Sequence, residues 1–453
     1  MKLLFLFSLI LPLQINIAQS TGNIYFPPKD NSTWETISPT SLGWNSQKLD
    51  ELKTFLQGEN TKAFIVLKDG KIAVEWYFGT FKQDSIWYWA SAGKTLTAFL
   101  IGKAQEEKFL SINDASSKYL GVVWTNIPKE KEDKITIWNQ LTMTSGLNDG
   151  VPDNHCTLKS CLVYLTDAGT RWAYHNAPYT LLEQVIEKAT AQPINNYTVL
   201  KLKNTIGLTG AWTTVDFDNV FFSKPRSMAR YGLLAMNNFV WDNQPVMNDK
   251  QFIHDMINTS QQLNKSYGYL WWLNGKGSYM LPTLQTVFNG SYAPQAPADM
   301  FAGLGKNGQI VSVSQQNGIV IVRMGVQPNS PLSDVPTLFC NQIWTKLNAA
   351  IGNSTKAVDE NIIPDKFYLS QNYTNPFNPS TTINYQISKA CHVTLKVYDV
   401  LGREVAKLID EFKQPGNYSV EFRVKNEGYA SGVFFYQLKA GNYSSFKKML
   451  FIK

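Results

Sequence analysis

Apolar residues recur at helical spacing in some stretches of this chain and in alternating or continuous runs in others, and the changes between the two mark out its elements. From Asn45 to Glu59, Leu49, Leu52, Phe55 and Leu56 are set among polar and charged positions, which predicts an amphipathic helix. Ala63-Phe64-Ile65-Val66-Leu67 and Ile72-Ala73-Val74-Glu75-Trp76-Tyr77-Phe78 then flank Lys68-Asp69-Gly70-Lys71. An Asp-Gly between two β-rich runs predicts a hairpin. Leu96, Phe99, Leu100 and Ala104 return to helical spacing. From about Lys108 to Lys276 the pattern is mostly helical with polar loops, clearest over Leu181 to Lys188 and Met228 to Asn237. Strand patterns come back in Gln309 to Ser314 and Gly318 to Met324, joined through Asn317-Gly318, and a last helix is expected from about Pro336 to Ile351.

Strands from the two ends of this region must therefore meet in one sheet. That order predicts an α/β protein of the α+β kind, with an antiparallel sheet flanked by helices, a second, all-helical lobe, and a cleft where the two meet. After Gly352 the sequence turns polar and loses periodicity, which predicts a linker over residues 353–364. Residues 365–453 read differently. Short alternating runs such as Val393-Thr394-Leu395-Lys396-Val397-Tyr398 and Val433-Phe434-Phe435-Tyr436-Gln437-Leu438, spaced by Gly and Pro turns, predict a small β-sandwich. At the other end, Lys2 and the apolar run Leu3 to Leu13, followed by small residues near Ala18-Gln19-Ser20, predict a signal peptide over residues 1–20. That run is too short to span a bilayer, and no later stretch offers about 18 uninterrupted apolar residues, so no integral membrane segment is expected after cleavage.

Composition refines this picture in three places. A net charge of +7 is spread along the 453 residues without a block of like charge, so it reads as solvation, and no nucleic-acid partner is expected. Aromatic residues make up 13% of the chain, with 13 Trp, which fits broad apolar clefts. Cysteines number 4. Cys156 and Cys161 lie in one loop and either pair in an oxidising compartment or stay as free buried thiols, whereas Cys340 falls in an apolar helical pattern and Cys391 lies far downstream. Neither histidines nor cysteines show paired spacing, so no metal and no cofactor are expected.

The candidate chemistry begins with Ser91, three residues before Lys94 at the head of the Leu96 helix. On the first turn of a helix the two share a face, where an ammonium and the positive helix end stabilise the alkoxide formed during nucleophilic attack. The plain alternative is an N-capping serine followed by a solvated lysine. Tyr174-His175-Asn176 offers a phenol and an amide two residues apart; a Lys94 ammonium facing Tyr174 would make the phenol a usable general base. Alternatively, Tyr174 is one of 21 tyrosines packing a core. Phe301-Ala302-Gly303-Leu304-Gly305 could bring backbone N–H groups to a developing oxyanion, or form an ordinary turn. A Ser-His-Asp triad is not indicated: the histidines are His155, His175, His254 and His392, and Trp89 stands where a nucleophile elbow carries Gly.

These three pieces, in this order and context, resemble the serine β-lactamase and penicillin-binding-protein superfamily. The branch is that of class C β-lactamases, D-aminopeptidases, carboxylesterases of β-lactamase fold and 6-aminohexanoate oligomer hydrolases. The resemblance covers residues 36–352 and extends to Ser111 to Leu120, Leu141 to Leu147, Tyr267 to Trp272 and Gly308-Gln309. It implies that Ser91 is the acylated nucleophile, Lys94 its activator, Tyr174 the general base and Asn176 a hydrogen-bonding partner. The backbone of Ser91 and of Ala302 and Gly303 would form the oxyanion hole. In one place the chain departs from the family. The third motif, Lys-Thr-Gly or His-x-Gly, is replaced by Phe301-Ala302-Gly303 or Met300-Phe301-Ala302, which removes the usual anchor for a substrate carboxylate unless Arg323 or another cation reaches in. The expected substrate is therefore a small neutral ester or amide.

The tail resembles the type A C-terminal sorting domain of type IX secretion substrates, through Phe367 to Ile383, Val397 to Val405, Ser431 to Tyr436 and Lys447-Lys448-Met449. This implies export through the periplasm of a Gram-negative bacterium to the surface or outside, with the type IX machinery as partner of residues 365–453. A carbohydrate-binding or adhesive sandwich is the alternative for the tail. For residues 36–352 the alternatives to a serine hydrolase are a β-lactamase or D-alanyl peptidase, and a non-catalytic penicillin-recognising protein.

Overall fold

The computed structural model describes residues 24–30, 32–330, 335–352, 367–372, 375–424 and 431–452, so the expected signal peptide and linker lie outside the described residues. Ser46–Gly58 forms the first helix (α1), capped by Asn45, whose side chain accepts from the Lys48 amide at 3.0 Å. Thr61–Lys68 (β1) and Lys71–Tyr77 (β2) form the expected hairpin. Gly70 turns it with a φ of 85°, and a β-carbon there would lie 1.9 Å from the Tyr25 carbonyl oxygen, so both conformation and space require glycine.

Lys94–Glu106 (α2) and Pro225–Met236 (α3) are the main helices of the middle region, and Trp272–Leu273 (β3), Phe301–Gly305 (β4), Gln309–Ser314 (β5), Ile319–Gly325 (β6) and Thr337–Ile351 (α4) follow. The strands make one antiparallel sheet in the order β2-β1-β6-β5-β4-β3. β1 and β6, which the sequence separates by some two hundred and fifty residues, are central neighbours, with Phe64 opposite Arg323 and Val66 opposite Ile321.

Helices cover both faces of this sheet. Gly232 of α3 packs against Val311 and Val320, while Trp344 of α4 donates from Nε1 to Ser312 Oγ at 3.0 Å from the opposite side. With both faces buried, β6 has no solvent side, which is why Ile319 to Val322 read as a continuous apolar run, while the polar Gln309, Ser312 and Ser314 of β5 are buried with hydrogen-bond partners.

The region between β2 and β3 is mainly helical and also carries a hairpin, Gly210–Val215 with Asp218–Ser223, whose second strand pairs with Trp87–Tyr88. Of its first strand only Trp212 is buried, so the strand presents no alternating apolar face for sequence reading to detect. The tail forms two antiparallel sheets, one of three and one of four strands. Ile383 and Tyr385 from one and Val393, Leu395, Tyr436 and Leu438 from the other share a single apolar core, which makes it a small β-sandwich. The chain divides into two compact units, Met1–Ser354 and Thr355–Lys453.

Candidate active site

Ser91 lies on a short 3-10 turn, Ala90–Gly93, that runs directly into α2. Ala90, just before it, has a φ of 46°, a left-handed conformation costing a residue with a β-carbon about 1–2 kcal/mol. The surrounding packing holds it there. Trp89 is fully buried, donates from Nε1 to Ser223 Oγ at 2.7 Å, and its backbone amide donates to the Phe221 carbonyl at 2.8 Å. The unpredicted hairpin is thus what presents the serine. Ser91 opens onto a cleft of about 320 Å³ lined also by Lys94, Asn176, Tyr179, His155, Asp218 and Lys306, with Tyr88, Val215, Val220 and Phe222 as its apolar wall.

Lys94 is 3% exposed and donates from Nζ to Asn176 Oδ1 at 2.8 Å. Its ammonium sits 3.7 Å from the Tyr179 ring centroid and 5.4 Å from that of Tyr174, so its walls are mostly aromatic. Burial pushes its amine down to about 7, with the Asp218 carboxylate pulling the other way. A lysine so placed takes up or releases a proton near neutral pH. Tyr174 does not line the cleft; its ring is buried behind Lys94, stacked on Trp272 at 5.9 Å and edge-on to Tyr267 at 6.3 Å.

Ala302 and Gly303 are buried in the sheet and do not line the cleft. Gly303 and Gly305 share the strand face turned toward the serine. A β-carbon on Gly303 would meet the Ala92 carbonyl oxygen at 3.1 Å, and one on Gly305 would come within 3.0 Å of the Ser91 nitrogen. Of the two glycines, Gly305 is the one that packs on the Ser91 backbone. The cleft wall begins just beyond the strand, at Lys306, a cation outside the Phe301-Ala302-Gly303 motif position. Arg323 is not that cation. It is fully buried and donates to the carbonyls of Asn307 at 2.6 Å and Glu59 at 2.8 Å, tying down the turn that carries Lys306.

The far side of Asn176 is also occupied. Its Nδ2 donates to Asn154 Oδ1 and approaches His155 Nε2, both at 3.1 Å, and His155 Nδ1 lies 2.8 Å from the Asp218 carboxylate. Cys156 and Cys161 form a disulfide in this loop, while Cys340 and Cys391 are free. His155, Asp218, Tyr179 and Lys306 went unmarked in the sequence because none stands in a pattern of its own. The available signals were weak ones: Cys156 beside His155, and glycines on either side of Lys306-Asn307.

Residues 56–334, well over half the chain, match the family described as Beta-lactamase. The chain belongs to the Beta-lactamase family. Residues 371–453 match a second family, the secretion system C-terminal sorting domain. Among curated relatives, a Salmonella paratyphi A protein named for D-alanyl-D-alanine carboxypeptidase is 23% identical over 390 residues, covering 66% of this chain and 87% of its own. Among solved structures, a Bacillus anthracis protein titled as a 6-aminohexanoate-dimer hydrolase superposes with a TM-score of 0.56 at 16% identity, covering 74% of this chain and 91% of its own. An octameric penicillin-binding-protein homologue from Pyrococcus abyssi gives 0.51 at 15%, covering 88% of this chain and 98% of its own. These likenesses establish the fold that Beta-lactamase family hydrolases share with penicillin-binding proteins. The serine turn, the α2 lysine and the end of β4 in this member lie where its sheet and its helical region meet.

Proposed function

We propose that this Beta-lactamase family member is a secreted serine hydrolase that cleaves an ester or amide bond through an acyl-enzyme on Ser91. The observation that carries the reading is Ser91 at a cleft shared with a buried Lys94 whose amine is held near 7. Ser91 Oγ attacks the substrate carbonyl and its proton passes to the unit formed by Lys94 and Tyr174. The tetrahedral oxyanion is met by backbone N–H groups. The close approach of Gly305 to the Ser91 nitrogen favours Ser91 and the Gly305-Lys306 segment as donors over Ala302 and Gly303. The same unit then protonates the departing alcohol or amine, and water, deprotonated in turn, releases the acyl group. Asn176 holds Lys94 in place throughout. Offering p-nitrophenyl esters, linear amide oligomers and a chromogenic cephalosporin, with mass spectrometry for an adduct on Ser91, tests this; a folded protein that turns over none and forms no adduct would be the non-catalytic binding protein.

A second reading, a peptidase or β-lactamase whose substrate ends in a carboxylate, is supported by Lys306 on the cleft wall, which makes no ion pair among the described residues. A charge-assisted contact is worth about 1.5–3 kcal/mol, or about ten- to a hundredfold in kcat/KM. Lys306→Ala is therefore expected to cut kcat/KM by about that factor for an ester bearing a far-end carboxylate and to leave its neutral analogue unchanged. Equal losses on both would remove the support for an anionic substrate.

For the tail we propose an export address read by the type IX machinery, with no part in the chemistry. Its separate apolar core supports this, since a unit with its own core leaves without exposing another's. A chain ending at Gly352 is expected to keep the full kcat/KM. A large loss with the fold intact would show that the tail helps build the site.

A further inference from the structure

An amide side chain has an acceptor end and a donor end of nearly the same shape, so which end Asn176 offers Lys94 depends on what the other end meets. Its oxygen faces Lys94 Nζ at 2.8 Å, and its nitrogen faces Asn154 Oδ1 and His155 Nε2. His155 Nε2 accepts only when it carries no proton, which requires the ring proton on Nδ1. Nδ1 in turn lies 2.8 Å from the carboxylate of Asp218, which accepts and cannot donate when ionised. Each link determines the next.

We infer that Asp218 and His155 are positioning residues for the reaction: Asp218 selects the Nδ1–H tautomer, His155 thereby orients the Asn176 amide, and Asn176 presents its oxygen to Lys94. This rests on the reading of Ser91 and Lys94 as nucleophile and proton-handling partner. The accepting nitrogen of His155 is engaged by Asn176, so the His155–Asp218 pair orients another group and is not the base of a Ser-His-Asp triad. In the other tautomer an N–H would face the Asn176 NH₂, the amide would turn over, and Lys94 would meet donors in place of an acceptor.

The surroundings are built to place the imidazole. The Cys156–Cys161 disulfide closes the loop beside it, the Asn154 carbonyl accepts from the Ala177 amide at 2.9 Å, and the His155 amide donates to Asp153 Oδ1 at 2.9 Å. The loop is thus fastened to the helix turn that carries Asn176, while Asp218 comes from the hairpin that also anchors Trp89.

The test uses the full-length protein and p-nitrophenyl acetate. Two-bond ¹H–¹⁵N correlations recorded under the assay conditions should show His155 as the Nδ1–H tautomer; the Nε2–H tautomer, or a ring protonated on both nitrogens there, would overturn the inference. Since a small misplacement of a reacting group costs up to about a hundredfold, His155→Ala should lower kcat by about ten- to a hundredfold with little change in KM. His155→Gln, whose oxygen can accept from Asn176, should recover most of that loss, which a merely structural or substrate-contacting imidazole would not. His155 acts only through Asn176, so Asn176→Ala with His155→Ala should be no slower than Asn176→Ala alone. Multiplying losses, or His155→Ala at the wild-type rate, would overturn the inference. Fluorophosphonate labelling separates the two levels. Wild-type protein that stays unlabelled at Ser91 removes the proposed function itself, whereas wild type and His155→Ala labelling at equal rates remove only the positioning role.

Discussion

Ser91→Ala is expected to lower kcat/KM on a p-nitrophenyl ester by about 10⁴- to 10⁶-fold, the scale on which removing a serine nucleophile acts in hydrolases that form acyl-enzymes. Lys94 is buried behind Ser91 with its nitrogen directed to Asn176, and Tyr174 does not reach the cleft wall. The hydroxyl itself lines no core, so its loss should leave the fold and the melting temperature nearly unchanged. Measured under single-turnover conditions, the burst of released nitrophenol should vanish together with the Ser91 adduct. A variant that keeps a tenth of wild-type activity would mean that water is activated directly and no acyl-enzyme forms.

Lys94→Ala and Tyr174→Phe are each expected to cost about 10²- to 10⁴-fold in kcat, the range for positioned acid–base groups, and the double variant little more than the worse single one. The reason is that in the proposed mechanism the two groups handle one proton between them. The Lys94 nitrogen lies 5.4 Å from the Tyr174 ring centroid and both side chains are buried, and in the proposed mechanism the unit serves as base only when it holds one proton fewer than its fully protonated form. With the amine held at about 7, kcat/KM should fall about tenfold per pH unit below that value and level off above it. Lys94→Ala should abolish that limb. Stability carries the opposite signature to that of an ion-paired lysine. The unfolded chain keeps the Lys94 proton up to its ordinary value of 10.5 and the folded chain releases it at about 7, so between the two the unfolded state binds more protons and stability rises with pH. Below about 7 the full penalty of a buried charge is present. Lys94→Met should therefore raise the melting temperature more at pH 6 than at pH 9 while removing activity. A melting temperature lowered at both would show that the Asn176 bond and the aromatic walls outweigh the charge penalty.

The central sheet, its hairpin turns, the covering helices and the separate β tail were legible in the sequence because each leaves a local trace. Residues that face a core recur with the period of their own element, and Asp69-Gly70 and Asn317-Gly318 mark turns whose backbone only a few residues adopt. Ser91, Lys94, Tyr174 and Asn176 were legible for a related reason: Ser-x-x-Lys and Tyr-x-Asn each keep their pair within a few residues, so spacing along the chain stands in for proximity. The hairpin from Gly210 to Ser223 left no such trace, being mostly exposed on its first strand, yet it carries Asp218 and ties down Trp89. The strand beside the Ser91 turn was read from the sequence, but where it meets that turn was not, because only the packing of Gly305 on the turn shows that the cleft lining begins after the strand, at Lys306. The sequence by itself thus determined most of the elements and the candidate nucleophile with its close companions. Tertiary structure alone decided which residues complete the site, because the contacts of Lys94 with Asn176, of Asn176 with His155 and of His155 with Asp218 join residues 82, 21 and 63 positions apart, and no periodicity along a chain records a distance across a fold.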